Sequence, residues 1–303
     1  MGRLIERQRR FRPRLPVDLR LTLGPLRRGR GDPTVRFGAD GVWRAWRTPE
    51  GPATVQLRVG GGGVDVRAWG PGAEWALEAA PDLVGAGDDE DGFVARHPVV
   101  ADLRRRLRGL RIGRTGAVVD AMVPTVLEQK VQGIAAKRSY ARLVRLLGEP
   151  APGPAPLLLP PPPERLAALP YHAFHPLGVE RRRADTVRLV ARNARRLEEA
   201  AAMEPADARR RLRALPGVGA WTAAEVALAA LGDADAVSVG DYHLPHHVAW
   251  ALAGEPRGDD DRMLELLEPY RGHRGRVLRL LVAGAPGPPR FGPRLPLRDI
   301  ASI

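Results

Sequence analysis

The chain has 303 residues, no cysteine, a formal net charge of +13 and an isoelectric point near 11.2. Disulfides and any cysteine-held iron–sulfur cluster are excluded, no apolar run is long enough to span a bilayer, and the length admits one large core or two to three smaller ones. The positive charge is almost all arginine, with Lys130 and Lys137 the only lysines; it fits a polyanionic partner, although a GC-rich coding bias would enrich Arg, Ala, Gly and Pro in the same way.

Residues 1–13 read as a basic, flexible lead-in without the apolar segment of a secretory signal, so the cytoplasm is the expected compartment. Residues 14–92 read as a β-rich domain. VDLRLTLGPL, TVRFGADGVWRAW, ATVQLRVGGGGVDVRAW and AEWALEAA alternate apolar and other residues between Gly-, Asp- and Pro-rich turns, which suggests an antiparallel sheet. The acidic, turn-rich GAGDDEDG at 85–92 reads as a linker. From about His97 the apolar spacing changes to three and four, and helices are predicted in 98–110, 117–148, 163–169, 180–201, 205–215, 220–231, 242–252 and 260–282. The Pro-rich run at 151–163 cannot be helical, and the tail 284–303 is expected to be irregular.

The stretch most informative about chemistry is LPGVGAWTAAEVALAALGDADAVSVGDY, residues 215–242. Two helical runs flank Leu215-Pro216-Gly217-Val218-Gly219, a helix-hairpin-helix expected at about 206–232. Glycines let backbone amides turn outward toward an anion, and the helix starting near Ala220 adds unpaired N–H groups and its positive dipole end. Such a turn alone would only join two helices. What sharpens it is Asp241, 22 residues past Gly219, enough for one helix and a return loop. Asp241 also stands where a helix would begin, a place where Asp serves equally as a cap.

The hairpin followed by an isolated Asp resembles the helix-hairpin-helix DNA glycosylase superfamily. LPGVG-x-WTA with a following Asp-Tyr resembles the alkylation-repair branch, 3-methyladenine DNA glycosylase II. VLEQKVQGIAAKRSYARL, HPLGVERRRADTV and EPYRGHRGRVLRLL resemble further segments of that branch, so the likeness covers most of 97–283, whereas 14–92 match in layout only. The resemblance implies an α+β protein: an N-terminal antiparallel β-sheet domain, then a mostly helical, two-lobed glycosylase body over 93–283.

It also implies the site. Asp241 would stabilise the oxocarbenium-like sugar and position or deprotonate the attacking water. Lyase-type members carry a Lys where this chain has Trp221, so water is the expected nucleophile and no lyase activity is expected. Trp221, Tyr242 and Tyr270 align with aromatic pocket positions; Glu225, where the branch has an aromatic, shares a helix face with Trp221 and would make the pocket negative toward a cationic base unless it pairs with a surface Arg. Gln129 would meet base edges, and Lys130 stands where an apolar wedge is usual. Leu215, Pro216, Gly217, Val218, Gly219 and Thr222 would lie along the DNA backbone. The carbonyls of Arg213, Leu215 and Val218 are the implied ligands of a monovalent Na or K ion, and no other cofactor is expected. His243, His246 and His247 could be spaced for zinc but have no acidic partner, so phosphate contact or a polar helix face is preferred. The expected partner is duplex DNA containing damaged bases, with no membrane and a monomeric enzyme. Rival readings are a glycosylase for oxidised or deaminated bases and a DNA-binding protein that has lost catalysis, the latter suggested by Lys130 and Glu225.

Overall fold

The computed structural model describes residues 6–289, so residues 1–5 of the lead-in and 290–303 of the tail lie outside the described part. The protein is α+β. In chain order the elements are β1 (Glu6–Phe11), α1 (Leu19–Leu23), β2 (Val35–Gly38), β3 (Gly41–Thr48), β4 (Gly51–Gly60), β5 (Gly63–Trp69), α2 (Ala73–Leu83), α3 (Pro98–Arg106), α4 (Val118–Leu127), α5 (Gly133–Leu147), α6 (Pro163–Ala168), α7 (Tyr171–Phe174), α8 (Arg181–Arg192), α9 (Ala194–Glu198), α10 (Pro205–Arg213), α11 (Ala220–Val226), α12 (Leu244–Ala253), α13 (Asp260–Leu267) and α14 (Arg274–Gly284).

The five strands form one antiparallel sheet in the order β1-β5-β4-β3-β2. Three expectations in this region are corrected. The lead-in is not free: Glu6–Phe11 is an edge strand, paired from Glu6↔Trp69 to Phe11↔Val64. Its side chains stay almost wholly exposed, so the backbone ladder holds it and no apolar alternation marks it. VDLRLTLGPL is not a strand; Asp18 accepts from the backbone N–H groups of Arg20 and Leu21 and caps α1, whose Leu19 and Leu23 point inward. AEWALEAA is also helical, because Ala73, Ala76, Leu77 and Ala80 fall on one face at helical spacing and pack on the sheet beside Leu57 and Val66.

The supposed linker at 85–92 is embedded. Asp88 pairs with Arg276 at 2.7 Å with side chains only 3% and 2% exposed, and Glu90 pairs with Arg104 and Arg111. The Pro-rich connector folds back over the sheet, where Ala155, Leu157 and Leu159 pack with the stacked pair Trp43 and Trp69.

The helical body has two lobes with separate cores. One is built on α4, α5, α8, α10 and α11, with Met122, Leu143, Val187, Leu212 and Val226 fully buried. The other joins α3, α12, α13 and α14, with Leu103, Val248, Leu267 and Leu281 at its centre. The segment 233–243 crosses between them. Asp235 anchors it to the second lobe, gripping Arg274 and accepting from Gly272 N and Arg274 N.

Candidate active site and nucleic-acid interface

α10 ends at Arg213 and α11 begins at Ala220, so the hairpin falls where the sequence places it. Val218 N donates to Leu215 O at 3.0 Å and closes a tight turn with Pro216 and Gly217 at its two central positions. Gly217 has φ +88°, and a Cβ there would sit 2.5 Å from Thr186 Oγ1, so only glycine fits. Gly219 differs from expectation: its φ is −90°, ψ −174°, and a Cβ would meet open space. Pro216, Gly217, Gly219 and Ala220 are exposed, whereas Leu215 is half-buried and Val218 is buried and pins the turn to the first lobe. Beyond α11 a π-helical turn, Ala227–Leu231, runs to Gly232, which takes the left-handed conformation that ends the helix.

Two predicted DNA contacts are corrected in detail. Thr222 is only 2% exposed, so its side chain faces inward. Gln129 is committed to the protein, its Nε2 donating to Gly217 O and to Thr222 Oγ1, both at 2.9 Å. It therefore braces the hairpin from the end of α4. Lys130 follows with φ +54°, the single non-glycine residue with positive φ among the described residues, and its side chain is exposed. The half-exposed Ile134 lies just beyond on α5, an apolar surface residue the sequence reading passed over.

Asp241 occupies the start of α12. Its Oδ1 accepts from His243 N at 2.7 Å and Leu244 N at 2.9 Å. Its Oδ2 accepts from the indole Nε1–H of Trp221 at 2.9 Å. Cap and carboxylate site coincide: three N–H donors orient the Asp241 carboxyl at the junction of the two lobes. One turn further along α11, Glu225 meets the same crossing segment, with Ser238 Oγ 2.5 Å from Glu225 Oε1. Asp241 N in turn donates to Ser238 O at 3.2 Å. Trp221 and Glu225 thus clamp the 238–241 turn at two points, and Gly240 N is held from α13 by the Asp260 carboxylate.

Glu225 is not a surface residue paired with an arginine. Burial pushes its carboxyl above the ordinary range, with Glu128 and Asp241 adding to the rise; the Ser238 hydrogen bond and the positive charge of Arg28 act against it. Arg28 was not foreseen. It comes from the sheet domain, pairs with Glu128 at 3.2 Å with both side chains less than a fifth exposed, and so brings the N-terminal domain to the site. No motif marks it within an arginine-rich loop. Ser238 was likewise missed, though it stands within the very segment that leads to Asp241.

The two predicted tyrosines part company. Tyr242 is 81% exposed beside Asp241, its ring edge on His243. Tyr270 is corrected: it is 2% exposed in the second-lobe core, against Phe93, and its hydroxyl accepts from His97 N and meets His97 Nδ1 at 2.6 Å. It cannot face a base. His246 Nδ1 accepts from Gly258 N, so it too serves the second lobe. Of the arginine runs, Arg183 is buried and donates to Leu127 O, while Arg209, Arg210 and Arg211 pair with Asp233, Asp207 and Glu199. These are scaffold contacts within the protein.

The arrangement of a helical hairpin facing Asp241 between two lobes, behind an antiparallel sheet, is shared with solved structures at the level of fold. The 3-methyladenine DNA-glycosylase from Archaeoglobus fulgidus aligns with a TM-score of 0.76 at 16% identity, over 90% of this chain and 97% of that one. The 8-oxoguanine glycosylase/lyase of Clostridium acetobutylicum aligns at 0.69 with 13% identity, over 93% and 98%. The Schizosaccharomyces pombe 3-methyladenine DNA glycosylase in complex with abasic DNA aligns at 0.50 with 15% identity, over 67% and 95%. No family model matches the sequence, and no curated protein matches it. No helix among the described residues is long and apolar enough to cross a membrane.

Proposed function

We propose that this protein is a monofunctional DNA glycosylase that flips alkylated purines of the 3-methyladenine type out of duplex DNA and hydrolyses their N-glycosidic bond. The observation that carries the reading is Asp241, fixed by three N–H donors at the lobe junction facing the hairpin. The flipped base would lie near Trp221 and Tyr242. As the C1′–N bond opens, the Asp241 carboxylate would stabilise the positive charge growing on the sugar and hold the attacking water. Trp221 takes the place of a Schiff-base lysine and spends its N–H on Asp241, which supports hydrolysis without a covalent enzyme–sugar adduct. An alkylated purine is cationic and already a good leaving group.

The exposed backbone of Pro216, Gly217 and Gly219 would hold a phosphate, and Lys130 would enter the gap left by the flipped base. The carbonyls of Arg213, Leu215 and Val218 would hold a Na or K ion, Leu215 O while also accepting from Val218 N, and the ion would add positive charge to the hairpin. We place the enzyme in the cytoplasm, on the nucleoid when DNA-bound, acting as a monomer. The second reading, removal of oxidised bases, draws on the likeness to the 8-oxoguanine glycosylase/lyase. Base release from duplexes carrying one methylated, oxidised or deaminated base, with wild type and Asp241→Asn, decides between them. Release of 7-methylguanine or 3-methyladenine that disappears in the variant supports the first reading. Release of 8-oxoguanine alone supports the second, and binding without release leaves a DNA-binding protein.

A further inference from the structure

A cleft of about 440 Å³ lies where the loop after β1, the end of α3 and the middle of α14 meet, and none of its lining residues belongs to the site around Asp241. Leu15, Pro16, Phe93, Leu107, Leu110 and Leu280 give it an apolar wall. Its charged lining is Arg104, Arg105, Arg108, Arg111 and Arg276 against one carboxylate, Glu90. The protein itself fixes most of these arginines. Arg276 is buried on Asp88 at 2.7 Å. Arg111 is buried as well: it pairs with Glu90, its Nη2 donates to Arg108 O at 2.5 Å, and its Nε lies buried without a partner. Arg104 also pairs with Glu90 and lies over the Phe93 ring, 5.1 Å from its centroid. Asp102 is divided between Arg105 and Arg106. Six arginines thus share three carboxylates, Asp88, Glu90 and Asp102, and the exposed Arg108 guanidinium has no partner among the described residues.

We propose that this cleft docks an acidic segment of a partner protein, with one or two bulky apolar side chains in the cleft and the flanking carboxylates on Arg105 and Arg108. The volume suits a few side chains. An apolar wall rewards a group that leaves water, and planar guanidinium forks match carboxylates two hydrogen bonds at a time. Forks already held by the protein lose little freedom when a partner binds. Charge selects the occupant. A duplex backbone would supply negative charge but nothing to fill the apolar wall, and a free inorganic anion would leave that wall wet. The chain's own residues 290–303 have the wrong sign, with Arg290, Arg294 and Arg298 against Asp299. An extended segment that alternates acidic and apolar side chains satisfies wall and arginines together. The site is independent of the catalytic reading, because its lining residues take no part in the hairpin or in the hold on Asp241.

The test is fluorescence anisotropy of labelled hexapeptides Asp-Asp-X-X-Asp-Asp, with X Leu, Ile, Phe or Trp, titrated with the full chain. At least one of the four should bind wild type, and its affinity should fall as salt is added. Replacing both X residues by Ser should weaken it by about 10-fold or more, and replacing the four Asp by Asn should do the same. Arg108→Glu should weaken binding by about 10-fold, and Arg105→Glu/Arg108→Glu further; denaturant melts check that each variant is folded, which the exposed, unpaired Arg108 leaves undisturbed. Arg58→Glu, at an exposed arginine of β4 outside the cleft, should change nothing. Equal loss in Arg58→Glu would overturn the proposal, since net charge alone would then explain binding. So would equal binding of the Ser or Asn peptides, displacement of the peptide by inorganic phosphate at the same concentration, or binding of none of the four at about millimolar protein. Competitive displacement by an undamaged duplex whose own affinity drops in Arg108→Glu would overturn it too and make the cleft part of a DNA-binding face.

Discussion

Replacing Asp241 by Asn separates catalysis from stability in a way the hydrogen bonds define. Asn keeps an oxygen for His243 N and Leu244 N and is as good a helix cap as Asp. Its Nδ2 then faces the Trp221 indole N–H across the 2.9 Å now spanned by a hydrogen bond, donor against donor. The alternative flip is worse, since it would turn the amide toward two backbone N–H groups. The variant therefore loses one hydrogen bond to a charged acceptor, about 1.5 to 3 kcal/mol, softened by access to water. Trp221→Phe removes the same bond from the other side. In Asp241→Asn/Trp221→Phe the facing donors are gone, so the double variant should be more stable than the sum of the two single losses predicts, by about 1 to 2 kcal/mol.

Activity should behave differently. Asp241→Asn should lose at least about 10² in single-turnover base release, the scale of removing a preorganised charge. Trp221→Phe, with the carboxylate still capped, should lose about 10-fold, and the double variant should regain none of the Asn loss. Denaturant melts give the stability cycle, and single-turnover release gives the kinetic one. Additive stability losses would show that indole and carboxylate are not bonded. Normal release by Asp241→Asn would remove the carboxylate from the chemistry.

Gly217→Ala should destabilise the fold and weaken damaged and undamaged duplexes alike, since its Cβ would strike Thr186 Oγ1 at 2.5 Å and φ is +88°; Gly219→Val, with open space around it, should leave the melt unchanged, and an equal loss of affinity for both duplexes would then report phosphate contact. Borohydride should trap no covalent complex on lesion DNA, and strand scission should need added alkali; a trapped adduct would implicate an amine, Lys130 first. Asp120 bears on stability: its Oδ2 is buried without a partner, and burial pushes its carboxyl up to about 6 from 3.8. A carboxyl raised on folding costs nothing below its unfolded value and progressively more as pH climbs between about 4 and 6, so wild type should lose up to about 3 kcal/mol relative to Asp120→Asn between pH 4 and pH 8 in paired denaturant melts. A constant difference across that range would place Asp120 in water.

The features legible in the sequence are those set locally or by spacing along one segment of the chain. The hairpin could be read because Gly217 answers a backbone requirement at its own position, and Asp241 because helix length fixes how far the chain travels before it returns. α1 and α2 were misread because short amphipathic runs satisfy alternation and helical spacing together, and only the Asp18 cap and the four-residue recurrences in α2 separate them. β1 was invisible because an edge strand held by its ladder needs no apolar face. Tyr270 shows the limit of alignment: an aromatic at a pocket position turns into the core when His97 offers its hydroxyl a partner there.

Arg28 shows a different limit. Nothing near residue 28 distinguishes one arginine from its neighbours, and its partner Glu128 lies 100 residues away. The same is true of Asp88 with Arg276, 188 residues apart, which joins the acidic stretch to the second lobe. Such pairs are fixed by how three bodies dock, and docking follows from faces that no single segment displays. Their placement has a functional consequence. Asp241 is held by Trp221 from the first lobe, Gly240 by Asp260 from the second, and Glu225 lies within the field of a sheet-domain arginine. A carboxylate oriented from both lobes stays in register only while the lobes do, so any shift of one lobe against the other would move Asp241 relative to the hairpin.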